Sequence, residues 1–328
     1  MKWSIDFPIP SHPFPVSHQS KILSLGSCFA QTIGQKMIDA KFDCLVNPFG
    51  TIFNPRSLEI LMEAALFATK FEESLICEGD GLFFHYHAHS ELVANTKDKL
   101  IEEITIQRDQ TRVYLEHGTH LILTLGTAWV YELDGSGTVA NCHKQPSSLF
   151  SKRLLTIEEM DSRLSTLFGN FSRVYPNLKI ILTVSPVRHI KDGVAENQLS
   201  KSQLRVLCAN LEKKFSSVSY FPAYEIMMDE LRDYRFYKSD LIHPTAEAEE
   251  YIWQKWKSSH FSPETQTKVE DVRKVNLELA HRPLNPNSPA HIKFQENLLL
   301  KLERLNAEFD FSRELALVRT NLNSQAQR

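Results

Sequence analysis

Two short segments hold the residue types that acyl-transfer chemistry needs. Leu25-Gly26-Ser27-Cys28-Phe29-Ala30 sets a serine between a short apolar run and an amphipathic helical pattern. Asp240-Leu241-Ile242-His243-Pro244 sets an aspartate and a histidine on a tight loop before another helical pattern. A serine hydroxyl attacks a carbonyl when a base near neutral pKa takes its proton, and imidazole is the natural one. The imidazole in turn needs a carboxylate to fix its tautomer. Ser27, His243 and Asp240 thus form one candidate constellation. Each also has a plainer role, because serine commonly N-caps a helix and a loop aspartate caps turns. The G-x-S-x-G elbow of the α/β-hydrolases is absent.

Other groups suit a pocket. If Leu82 to His87 is a strand that runs on, His85, His87 and His89 share one of its faces, which presents three imidazoles. No carboxylate is interleaved and the ligand angles are poor, so the reading is pocket lining and not a metal site. Arg188-His189 follows an apolar run, where arginine either binds a substrate carboxylate or phosphate bidentately or ties down the loop. Cys28, one step along the helix from Ser27, points elsewhere and is expected to pack.

Strands and helices alternate around these segments. Lys21–Gly26, Cys44–Val46, His120–Gly126, Leu178–Val184 and Val218–Phe221 read as short buried strands. Helical spacing appears after Ser27 and over Arg56–Thr69, Lys97–Glu116, Thr156–Tyr175, Ser200–Phe215 and Thr245–Trp256. Asp134-Gly135-Ser136-Gly137 between two β-prone runs predicts a hairpin. The pattern predicts an α/β domain with a mainly parallel sheet over 21–260, after an extended, proline-rich lead-in over 1–20. Residues 261–328 read as a helical extension in which Phe294, Leu298, Leu302, Leu305 and Phe309 make one apolar stripe. Its expected cover is the flank of the α/β domain, ahead of a second protomer; monomer and homodimer both stay open.

Composition narrows the function classes. Lys plus Arg (37) nearly balances Asp plus Glu (40), so no polyanion-binding field arises and nucleic acid is excluded as a partner. Prolines 8, 10, 13 and 15 interrupt any apolar leader, and no stretch is long enough to span a membrane. The five cysteines form no C-x-x-C pair, which speaks against structural zinc and a disulfide framework; a reducing cytoplasm is the economical expectation.

Taken together, a first-strand serine and a D-x-x-H before the last helix of the α/β domain resemble the SGNH (GDSL-like) hydrolase superfamily. Gly26-Ser27-Cys28-Phe29-Ala30 spells the motif of the GSCFA-domain family, which is similar to those hydrolases. The resemblance extends through Asn47-Pro48-Phe49-Gly50, Gly126-Thr127, Asn141-Cys142-His143-Lys144, Ser185-Pro186-Val187-Arg188-His189, Tyr234-Arg235-Phe236-Tyr237 and Asp240 to His243. It implies a flavodoxin-like three-layer α/β/α core and a serine esterase that forms an acyl-enzyme on Ser27, with His243 as base, Asp240 as its orienter and no cofactor. The Ser27 and Gly50 N–H groups would be oxyanion donors. Where the superfamily has glycine, any residue, then asparagine, this chain has Gly126-Thr127-Ala128, so Thr127, Asn141 or His143 is the candidate replacement donor. Arg188, His189, His143, His87 and His89 are the substrate-binding candidates. By family analogy the substrate is a small O-acyl (acetyl) ester of a carbohydrate. An O-acyltransferase on the same triad, or a low-turnover binding or assembly module that retains the fold, remains the alternative.

Overall fold

Five short apolar strands pair in parallel to organise the chain. The structure is a computed structural model that describes residues 5–326. In chain order it contains β1 (Lys21–Gly26), α1 (Cys28–Asp39), β2 (Asp43–Val46), α2 (Pro55–Phe67), β3 (Ile76–Gly79), β4 (Leu82–His85) and β5 (Val93–Ala94). Next come α3 (Lys97–Glu116), β6 (His120–Leu125), β7 (Trp129–Leu133), β8 (Gly137–Val139), β9 (Phe150–Leu154), α4 (Ile157–Val174) and β10 (Lys179–Val184). The α/β part ends with α5 (Val194–Lys214), β11 (Val218–Tyr220), the short α6 (Ala223–Glu225) with a π-turn behind it, and α7 (Ala246–His260).

The main sheet has the order β11-β10-β6-β1-β2 and every pairing is parallel. Counted along the chain this is 2-1-3-4-5, the flavodoxin-like order, with its topological switch between β1 and β6. Strands β1, β6 and β10 are buried almost throughout, as a sheet covered on both faces requires. Phe29, Ile33 and Met37 of α1 pack with Ala248, Ile252 and Trp256 of α7 on one face. The other face carries α2, α3, α4 and α5 through Leu58, Ile104, Leu164 and Leu207. The result is three layers, α/β/α. Two small antiparallel sheets, β3-β4-β5 and β8-β7-β9, are set into the loops, and β7-β8 is the predicted hairpin.

The lead-in has no regular structure but is tied down. His12 N–H donates to Ser259 O at 2.7 Å and Val16 N–H to His260 O at 2.8 Å, at the end of α7. Beyond α7 lie α8 (Pro263–Leu279), α9 (Pro289–Leu305) and α10 (Ser312–Ala326). Here one expectation is corrected. Leu298, Leu302, Leu305 and Phe309 are covered mainly by the extension itself, in a cluster with Val272 and Val275 of α8 and Phe311, Leu315 and Val318. Stacking three amphipathic helices on one another buries the stripe without a broad contact on the domain. The bundle also docks on the rest of the chain, where Phe309 meets the His18 ring at 4.6 Å and Lys41 Nζ donates to Asp310 O at 2.8 Å. Val269 joins the α1–α7 core, Asn276 Nδ2 donates to Asp39 O at 2.8 Å, and Lys41 pairs with Glu314 at 2.8 Å.

Because that small core belongs to the bundle, Leu302→Ala should loosen the extension without loosening the sheet. Truncating a buried leucine costs about 2–5 kcal/mol, and Leu302 is 0% exposed. Hydrogen exchange should speed up through 289–322 and stay unchanged in β1, β6 and β10. Equal acceleration in the sheet strands would show that the two parts share one core after all.

Candidate active site

The geometry at the end of β1 is dictated by glycine. Gly26 has φ +139°, and a Cβ there would sit 2.2 Å from Thr124 O, so only glycine lets β1 lie against β6 as the chain turns into α1. Its N–H donates to Asn47 Oδ1 at 2.8 Å, and its carbonyl accepts from Ile52 N–H at 3.0 Å. These two bonds hold the loop 47–52 over the strand end. Ser27 follows as the N-cap of α1. Its Oγ accepts from Phe29 N–H at 3.3 Å, and the residue is 0% exposed. Cys28 packs toward the α1–α7 core, and burial pushes its thiol up.

The histidine loop reaches the same edge of the sheet. His243 Nδ1 lies 2.8 Å from Asp240 Oδ2, while Asp240 Oδ1 accepts the N–H groups of Ile242 (2.8 Å) and His243 (3.0 Å). The hydrogen bond from the His243 ring, followed by these two backbone bonds, holds the Asp240 carboxyl down at about 2. Leu241 takes φ +58° to make this turn, and Lys238 N–H donates to His243 O at 2.8 Å to close it. Arg188 anchors the loop to the end of β10. Its N–H donates to Ile242 O at 3.2 Å, Nη1 to Leu241 O at 3.4 Å, and its guanidinium lies 4.0 Å from the Tyr237 ring centre. Through these contacts Arg188 ties down the histidine loop.

His189 stands at the crevice between the two segments. Its ring meets Phe53 edge-on at 5.1 Å, and its Nε2 is 3.1 Å from where a Cβ on Gly126 would lie. That nitrogen is buried with no hydrogen-bond partner. Burial pushes the imidazole down to about 3, with Lys201 and His243 adding to the effect. His189 is therefore a neutral ring.

The expected oxyanion donors are all engaged. Ser27 N–H donates to Thr124 O at 3.1 Å and Gly50 N–H to Asn47 O at 2.7 Å. Thr127 Oγ1 turns toward α5, 3.1 Å from Ser200 Oγ, and accepts from Trp129 N–H. Ala128 is fully buried and donates its N–H to the same Ser200 oxygen at 2.7 Å. Asn141 Nδ2 donates to Ser90 Oγ at 3.2 Å. His143 Nε2 donates to His85 O at 3.0 Å, so its Nδ1 accepts from Ser90 Oγ at 3.0 Å. The first turn of α1 is engaged as well: Phe29 N–H donates to Ser27 Oγ at 3.3 Å, and Ala30 N–H and Gln31 N–H donate to Ser27 O at 2.8 and 3.4 Å.

The histidine strand is also corrected. β4 ends at His85, and 86–92 turns away, so His85, His87 and His89 share no strand face. The turn is built by their own backbone: His87 N–H donates to His85 Nδ1 at 3.1 Å, and His89 N–H to Phe49 O at 2.9 Å. His89 packs its Cβ against Gly50, where a substituent would be 2.3 Å away. His87 is driven down to about 4 by burial. Among the described residues no group of three His, Cys, Asp or Glu side chains could hold a metal ion.

The structure thus joins His243 to Asp240 and sets both, with Ser27, at the carboxyl edge of one sheet, around its switch point. Among the described residues no hydrogen bond links Ser27 Oγ to His243. One residue absent from the expected set is Lys201 of α5, fully buried at this edge. Its signal is a lysine in phase with Leu204, Cys208 and Leu211 on the buried face.

A three-layer α/β/α protein with its polar side chains gathered at the switch point is the class these features define. The chain belongs to the GSCFA family, whose family model matches residues 21–256. A second model, that of the GSCFA domain protein C-terminal domain, matches 272–324 and so covers the helical bundle. No curated protein matches the chain. No helix among the described residues is long and apolar enough to cross a membrane.

Proposed function

We propose that the chain is a serine acyl hydrolase of the SGNH type, acting on a small ester. The observation that carries this reading is the 2.8 Å pair of His243 Nδ1 and Asp240 Oδ2 on the sheet edge where Ser27 opens α1. With Nδ1–H held by the carboxylate, Nε2 is the basic nitrogen. Ser27 Oγ attacks the ester carbonyl and its proton passes to His243 Nε2. The alkoxide then leaves with that proton, and water releases the acyl group from Ser27 by the reverse sequence. The α1 N-terminus offers the developing oxyanion the positive end of its dipole. A small O-acyl group on a carbohydrate is the substrate favoured by resemblance to the SGNH superfamily.

The burial of Ser27 and the engaged N–H groups favour a second reading, a slow enzyme or a binding module. One experiment separates them. A fluorophosphonate probe should label wild-type protein at Ser27, and labelling should vanish in His243→Ala. Labelling that is absent, or that maps to another residue, would end the hydrolase reading.

A further inference from the structure

Lys201 is 0% exposed, and its Nζ donates to Gly126 O and to Ser185 O, each at 2.7 Å. The Tyr224 ring centre lies 5.8 Å from this ammonium, and no carboxylate among the described residues pairs with it. Burying an unpaired ammonium is costly, and an aliphatic side chain would fill the same space without that cost. The two carbonyls it binds explain where the charge is wanted. Gly126 and Ser185 are the first residues beyond β6 and β10. β6 is the neighbour of β1, with Gly26 in register with Thr124, so Gly126 stands across the switch point from Ser27. Parallel strands that end here aim carbonyl oxygens at the crevice, and such partial negative charges oppose an oxyanion. An ammonium that draws two of them inward reverses the local field. That field reaches the site: it acts on Cys28, next to Ser27, and on His189, beside the base loop.

We infer that Lys201 is a positioning residue of the acyl-transfer site, whose buried ammonium holds the Gly126 and Ser185 carbonyls away from the oxyanion and supplies positive potential where Ala128 can offer no donor. The inference rests on the hydrolase reading of Ser27.

A charge of this kind leaves a mark on the pH profile. Burial pushes Lys201 down to about 7. The ammonium is present below that pH and lost above it, so catalysis that depends on it declines as pH rises through neutrality. The titratable groups facing Lys201 do not titrate there. Burial raises Cys28 on α1 and Tyr224 on α6 above their usual alkaline values, and His189 after β10 lies at about 3.

The experiment compares p-nitrophenyl acetate turnover from pH 5.5 to 9 in wild type and Lys201→Met, with Ser27 labelling as a parallel readout. Wild type should show an alkaline decline in kcat near neutrality. Lys201→Met should lose that decline and about 10- to 100-fold in kcat, with KM within about twofold, as removal of transition-state stabilisation does. A purely structural lysine would lower activity without giving wild type an alkaline limb. A labelled, active wild type whose rate stays level up to pH 9, or a folded Lys201→Met with unchanged kcat, overturns the inference and leaves the hydrolase reading intact. Wild type with neither labelling nor turnover overturns both. If Lys201→Met does not fold, the wild-type profile decides alone.

Discussion

Ser27→Gly should abolish ester turnover, by at least about a thousandfold, while barely changing stability. The prediction exploits the two roles that meet in this side chain. Ser27 caps α1, with Oγ accepting from Phe29 N–H, and in the proposed mechanism the same Oγ attacks the substrate. Alanine removes both functions, with about 1 kcal/mol lost from the cap. Glycine at an N-cap costs only a few tenths of a kcal/mol, so it removes the nucleophile and nearly spares the helix start. Melting temperature and p-nitrophenyl acetate turnover, measured side by side on wild type, Ser27→Ala and Ser27→Gly, separate the roles. A capping serine gives a stability loss in the alanine variant and turnover preserved in both. A nucleophile gives turnover lost in both, whatever the melting temperatures do. Persistent activity in Ser27→Gly would leave Ser27 a cap and nothing more.

Much of the scaffold was legible because local signals and burial agree. α3 begins after Thr96, whose side chain caps Lys99 N–H, and its apolar residues recur at helical spacing. β6 is an unbroken apolar run, as a strand covered on both faces must be. Where the signals conflict, the reading fails for a physical reason. β9 is Phe-Ser-Lys-Arg-Leu, whose polar centre hides a strand that pairs only at the edge of a small sheet. α5 starts at Val194, six residues before its expected start at Ser200, because its N-cap is Gly193, which has no side chain to signal a helix start. The histidines after β4 alternate as a strand would, yet the His85 side chain takes the His87 N–H and starts a turn. Lys201 was missed because lysine is read as a surface residue. Its partners, two strand-end carbonyls, come from segments 75 and 16 residues away. The site itself was legible as residue types, but the occupation of its N–H groups was not. Thr124 O accepts the Ser27 N–H only once β1 and β6 have paired, whereas the Gly50 N–H closes a local turn onto Asn47 O.

Acid should destabilise the protein well before its carboxylates titrate, because several histidines are buried neutral. At the foot of the sheet, His12 stacks on His260 at 4.0 Å, and His260 stacks on Trp256 at 3.7 Å. The Nε2 atoms of His12, His260 and the nearby His120 are buried without partners. Burial pushes His12 and His120 down to about 4 and His260 well below its usual value. An unfolded chain protonates these rings near pH 6.5. The unfolded state therefore binds more protons between pH 6.5 and about 4, and stability, complete above that window, falls as the pH drops through it. His120, 5% exposed, accounts by itself for about 2 kcal/mol between pH 7 and pH 5. Lys201 changes charge above this window, and the Asp240 carboxyl, at about 2, below it. Glu63 and Glu249, raised by burial, act in the opposite sense and soften the slope. Thermal melts should fall by several degrees from pH 7 to pH 5, and His120→Leu should flatten that dependence. A melting temperature constant over this range in wild type, or a slope untouched in His120→Leu, would mean that these rings are already hydrated or charged in the folded protein.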